Sequence, residues 1–135
     1  MATIFTRIIN GEIPAFKIFE DADTLAFLDI APASPGHTLV ICKNEVATLT
    51  ELSDAQLLAT ARTTQRVATA IQQALQTDGI NIIQNNGTAA GQEVFHYHVH
   101  IIPRWNNDGV IRFWQQTAMS QAAFTEIVSK IRLMM

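Results

Sequence analysis

Ile4, Phe5, Ile8 and Ile9 recur at helical spacing and predict a short helical turn with one apolar face, ended by Gly11 and Pro14. Lys17–Phe19 and Thr24–Asp29 read as two strands joined by a turn over Glu20–Asp23. Residues 31–36 hold two prolines and a glycine, which fit neither a helix nor a central strand, so a loop is expected. Strand character returns over His37–Cys42. Ser53 and Gln56 have the spacing of a capping box, and behind them Leu57, Ala61, Ala68, Ile71 and Leu75 fall on one stripe. That predicts a long helix from Asp54 to Gln76, stopped by Asp78 and Gly79. Ile80–Gln84 reads as a strand, Asn85–Gln92 as a polar loop with two glycines, and Val94–Ile102 as a strand ended by Pro103. A last helix near Gln121–Leu133 places Phe124, Ile127, Val128 and Ile131 on one face. Helices segregated from strands that are joined partly by short turns predict an α+β fold on an antiparallel sheet.

Composition narrows the class. At 135 residues, 48% apolar and 16% charged, the chain is expected to form one domain, 1–135, with its own core. Nine Lys plus Arg against twelve Asp plus Glu give a net charge of −3, and no basic run appears. Nucleic acid is therefore not an expected partner. Cys42 is the only cysteine, which excludes an intramolecular disulfide and a CxxC site and fits a reducing compartment. The first residues lack the apolar run of a signal peptide, and no stretch has the length of a membrane span. A soluble, cytoplasmic protein with no membrane partner is expected.

Candidate chemistry concentrates at His96, His98 and His100, three of the four histidines. On a strand, alternate side chains share a face, so these three would point one way while Tyr97, Val99 and Ile101 point the other. A merely solvated histidine-rich face is one explanation of the pattern. Two chemical ones compete with it: a three-histidine metal site with an open position, or nucleophilic catalysis by one imidazole with its neighbours as donors to an anion. The preceding loop, with Asn85, Asn86, Gly87, Gly91 and Gln92, offers amide and backbone donors suited to a phosphate and favours the second. Glu93 is the one nearby carboxylate, and in an extended strand it would face away from the even-numbered histidines.

The run His96-Tyr97-His98-Val99-His100-Ile101-Ile102 resembles the motif of the histidine-triad (HIT) family, His-φ-His-φ-His-φ-φ with φ apolar. Asn85-x-Gly87-x-x-x-Gly91-Gln92, Ile4-Phe5-x-x-Ile8-Ile9-x-Gly11-Glu12-Ile13-Pro14, Phe19-Glu20-Asp21, Leu25-Ala26-Phe27-x-Asp29-Ile30 and Pro35-Gly36-His37-x-Leu39-Val40-Ile41 match it as well. The resemblance runs from about residue 3 to 104, leaving about 105–135 as a C-terminal helical extension that carries Trp105 and Trp114. The branch most resembled is the histidine-triad nucleotide-binding group. It implies a five-stranded antiparallel sheet with a long central helix and a C-terminal helix, the sheet extended across a homodimer. It also implies a purine nucleotide substrate and no cofactor.

Residue by residue, the resemblance implies that His98 is the nucleophile on the α-phosphorus. His96 and His100 would contact the phosphate and hold the nucleophile's tautomer, and His37 would buttress the triad. Asp29 would accept the ribose hydroxyls; its plainer explanation is turn initiation. Phe5, Ile8 and Ile30 would form the base pocket, or simply core. Asn85, Gly91 and Gln92 would supply phosphate-side contacts, or simply loop chemistry. Three departures stand out. Thr3 and Thr6 replace the cysteine pair, and Glu45 the histidine, that hold a structural zinc in some members, so no metal is expected. Glu93 stands where Ser or Thr is common near the leaving group. His100 stands where a uridylyl-transferring branch has Gln, which argues for hydrolysis. The expected activity is purine nucleoside phosphoramidate hydrolysis. Dinucleoside polyphosphate hydrolysis and a non-catalytic nucleotide-binding module are the alternatives.

Overall fold

A computed structural model describes residues 2–112 and 114–135. Helix α1 (Ile4–Ile9) starts at Thr3, whose hydroxyl accepts the Thr6 N–H, and it buries Phe5 and Ile8. Strands β1 (Lys17–Glu20), β2 (Thr24–Leu28) and β3 (Thr38–Cys42) follow, then helix α2 (Asp54–Leu75), strands β4 (Gly79–Gln84) and β5 (His98–Arg104), and helix α3 (Gln121–Leu133). The five strands form one antiparallel sheet in the order β1-β2-β3-β5-β4. One face carries Ala26, Val40, Tyr97, Val99 and Ile101 against Val67 and Ile71 of α2. The other carries Leu25, Phe27, Leu39 and Ile41 against Phe5 and Ile8 of α1.

Three expectations need correction. The buried stripe of α2 is Thr60, Thr63, Val67 and Ile71, whereas Leu57 and Leu75 are 44% and 41% exposed. Threonine can be buried here because its hydroxyl is satisfied. Thr60 donates back to the Gln56 and Leu57 carbonyls, and Thr63 shares a 2.7 Å hydrogen bond with Thr24. Second, β5 begins at His98, not at Val94, and runs through Pro103. Pairing with β3 ends at Ile101, so Pro103 has a strand only on the β4 side, where it sits opposite Ile80. That edge-like position tolerates the missing N–H. Third, the apolar face of α3 forms at the expected spacing but is not buried: Phe124, Ile127, Val128 and Ile131 are all exposed.

Candidate active site

His98 and His100 lie on β5 opposite Ile41 and Leu39 of β3. Both partners belong to the core under α1, so the two imidazoles stand on the α1 face of the sheet. The Phe5 ring meets His98 edge-on, with centroids 5.0 Å apart. Together they line a cleft of about 390 Å³, within the range of small-molecule sites. Ile4, Phe5, Leu39 and Val94 supply its apolar wall; Asp29, Asn85 and Glu93 supply its polar groups.

Backbone groups fix the imidazole protons. The Ala33 N–H donates to His37 Nδ1 at 2.9 Å, so the proton of neutral His37 lies on Nε2. His37 Nε2–H in turn donates to His100 Nδ1 at 2.9 Å, which places the His100 proton on Nε2. His98 Nδ1–H donates to the His96 carbonyl at 2.7 Å, leaving a lone pair on His98 Nε2. A nucleophilic nitrogen and an N–H donor therefore stand side by side, their rings 5.0 Å apart. Burial lowers the pKa of His37, His96 and His98, against the opposing pull of Asp29 on His37 and His98. For His100, burial and the neighbouring His98 and His37 lower it to about 4. All four rings are neutral at pH 7.

That neutrality has a stability consequence. In the unfolded chain these histidines titrate near their ordinary pKa of about 6.5. Below that pH the unfolded state binds protons that the folded state refuses, so stability falls as pH drops from about 6.5 towards 4. The urea midpoint should decline steadily between pH 7 and pH 5; a flat profile would contradict neutral, buried imidazoles.

The structure brings together His98, His100, Phe5, Asp29, Asn85 and Gly91 at the cleft, with His37 directly behind His100. Asp29 lines the cleft and also closes the turn after β2. One carboxylate oxygen accepts the Ala31 N–H at 2.9 Å, and the other lies 3.6 Å from His37 Nε2. Four expected residues stand elsewhere. His96 precedes β5 and its ring is turned away from the cleft, so it reaches His98 through its carbonyl. Ile8 is buried in the core behind the wall, and Ile30 is 85% exposed. The Gln92 amide is spent inside the loop: it accepts from Gly87 N–H and donates to the Ala47 and Val94 carbonyls. The Gly91 and Gln92 N–H groups likewise close turns on Thr88 and Gly87, so they are not the phosphate donors expected of this loop. Glu93, expected to face away, lines the cleft because residues 94–96 bend before the strand starts. Ile4, Leu39 and Val94 were missed, although Leu39 is two residues from His37 and shares its strand face by simple alternation.

Two donor sets bear on metal. His96 Nε2–H donates to the Cys42 carbonyl, and its Nδ1 accepts from the Thr3 hydroxyl at 2.8 Å. Glu45 accepts the Thr3 N–H at 2.7 Å and the Thr6 hydroxyl at 2.8 Å. Where zinc would need thiolates, this corner offers hydroxyls already engaged in hydrogen bonds, so the residues do not fit a structural zinc. Asp29, His37 and His100 also converge, with ligand atoms within 4.8 Å of one another. The two nitrogens, however, are 2.9 Å apart across a shared proton, closer than the roughly 3.3 Å that two tetrahedral zinc ligands require. Because the proton, not a cation, links these rings, EDTA should leave activity and the unfolding midpoint unchanged. One equivalent of zinc by elemental analysis, with activity lost on its removal, would refute this.

Comparison with known proteins agrees with this geometry. The sequence model of the HIT domain matches residues 10–107. The chain belongs to the HIT domain family. It is 42% identical over 137 residues to the adenosine 5′-monophosphoramidase hnt1 of Schizosaccharomyces pombe, covering 98% of this chain and all of that one. A crystal structure of a HIT family member from Bacillus subtilis superposes with a TM-score of 0.93 at 36% identity, covering 100% of this chain and 98% of the other. The histidine triad nucleotide-binding protein of Candida albicans gives 0.86 at 32% identity, covering 97% and 95%. The alignment with the first of these structures includes the C-terminal segment of this HIT protein. Among the described residues, no helix is long and apolar enough to cross a membrane.

Proposed function

We propose that this HIT protein hydrolyses purine nucleoside phosphoramidates through a covalent nucleotidyl intermediate on His98. The observation that carries the reading is the proton inventory: His98 Nδ1–H is committed to the His96 carbonyl, which leaves Nε2 free to attack. In the first step His98 Nε2 forms a bond to the α-phosphorus, and the bond from phosphorus to the leaving nitrogen breaks. The amine departs with that electron pair and takes up a proton from solvent. In the second step water attacks phosphorus and gives up a proton to solvent, the P–N bond to His98 breaks with its electron pair returning to Nε2, and the nucleoside monophosphate leaves. His100 Nε2–H, aimed by His37, donates to a phosphoryl oxygen in both steps, as does the Asn85 amide at the cleft wall.

Asp29 at the cleft is suited to the ribose hydroxyls, since a carboxylate keeps acceptor capacity after taking one N–H. A 2′,3′-dideoxynucleotide should bind wild type several-fold more weakly than its parent, and Asp29→Asn should narrow that gap. Equal gaps in titration calorimetry would assign Asp29 to the turn alone. The reading includes a homodimer. Strand β4 is one of the sheet's two edge strands, and beside it Ile82 and Ala61, both exposed, line a shared apolar hollow. A second copy continuing the sheet at β4 would cover it.

The deciding experiment compares release of AMP from adenosine 5′-phosphoramidate and from a diadenosine polyphosphate. Faster release from the phosphoramidate is expected. Preference for the polyphosphate would favour that alternative, and binding without any AMP release would favour a non-catalytic module.

A further inference from the structure

Glu93 lines the cleft and is exposed, and the reaction outlined above does not use its charge. Among the described residues its carboxylate has no hydrogen bond or ion pair, whereas Asp29 is engaged by Ala31 and His37. The cleft wall holds no Lys or Arg. The two carboxylates are also separated by the triad. Asp29 follows β2, at the end of the sheet where Leu28 pairs with Thr38 and Thr38 with Ile101. Asn85 follows β4 and Glu93 precedes β5, at the opposite end, where Gln84 pairs with Val99 and Ile41 with His98. A nucleoside held at Asp29 with its phosphorus over His98 therefore directs the departing group towards Glu93.

We infer that this protein selects phosphoramidates whose leaving amine carries a second, positive charge, and that Glu93 is the specificity-determining residue that recognises it. The inference rests on the nucleotidyl-transfer reading of the same cleft. An ammonium beside an exposed carboxylate gains a modest attraction, while a phosphate there meets repulsion with no cation to offset it. The substrate class is thus an adenylated diamine or basic amino acid linked through one nitrogen, with its other nitrogen protonated.

The test uses two adenosine 5′-phosphoramidates of equal length, one made from butylamine and one from 1,4-diaminobutane. The scissile bond is the same and only the distal charge differs. Wild type should release AMP from the diamine conjugate with a kcat/KM about three- to five-fold higher, a preference that shrinks in high salt. Glu93→Gln should bring the ratio to about one, and Glu93→Lys should invert it. A wild-type ratio of one, or a ratio unchanged in Glu93→Gln, would overturn the assignment of Glu93. If wild type turns over neither conjugate, the nucleotidyl-transfer reading itself falls.

Discussion

Replacing His98 with alanine should lower turnover by at least about 10⁴-fold while nucleotide affinity stays within several-fold of wild type. The asymmetry follows from where the side chain acts. In the proposed reaction its Nε2 makes the bond to phosphorus, a step that no other group in the cleft is placed to perform. His100 carries its proton on Nε2, and the nitrogens of His37 and His96 are taken by Ala33, His100, Thr3 and the Cys42 carbonyl. The proposed binding draws instead on Phe5, Asp29 and Asn85, which line the cleft and which the substitution leaves in place. Single-turnover kinetics with a labelled phosphoramidate would also show the intermediate in wild type and none in the variant. Activity within tenfold of wild type would remove His98 from the role of nucleophile.

The largest stability effect should come from Ile101→Ala. Ile101 is fully buried on the α2 face, between Thr38 of β3 and Ile82 of β4, and packs in the cluster with Val40, Val67 and Ile71. Truncation removes three carbons from a site walled by strands on both sides, which cannot collapse to fill the gap. The cost should be about 3–4 kcal/mol, a large part of the roughly 5–15 kcal/mol that holds a domain of this size. Urea denaturation should show the loss in the midpoint with little change in slope. A cost below about 1 kcal/mol would mean that the strands close over the cavity.

Most elements were legible because apolar spacing and turn chemistry agreed. The capping box at Ser53 forms as its residue types predict, with both reciprocal hydrogen bonds. The buried stripe of α2 was not legible, because counting apolar residues passes over threonines whose hydroxyls bond back to the helix or across to Thr24. The start of β5 was hidden for a related reason. Val94, Phe95 and Tyr97 are residue types that favour strands, yet Tyr97 N–H donates to the Val46 carbonyl, outside any ladder. That local bend decides the site: it turns Glu93 inwards and leaves His96 off the strand. The positions of His98, His100, Phe5 and Asp29 were readable from the motif. The fate of Gln92 was not, since its partners Ala47 and Gly87 are fixed only by the folded loop.

The corner where Thr3, Thr6 and Glu45 meet His96 also determines what kind of damage the protein can withstand. It ties the first helix to the residue whose carbonyl holds His98. A thiolate corner can be oxidised to sulfenic acid or a disulfide and then lets go of what it holds. Hydroxyls and a carboxylate have no such chemistry, and the single sulfhydryl, Cys42, is 2% exposed with its thiol pushed up by burial away from the reactive thiolate. Peroxide should therefore spare the triad. The clasp yields to acid instead: the Thr3 N–H and Thr6 hydroxyl hold the Glu45 carboxyl below its ordinary range, and protonating it weakens both hydrogen bonds at once.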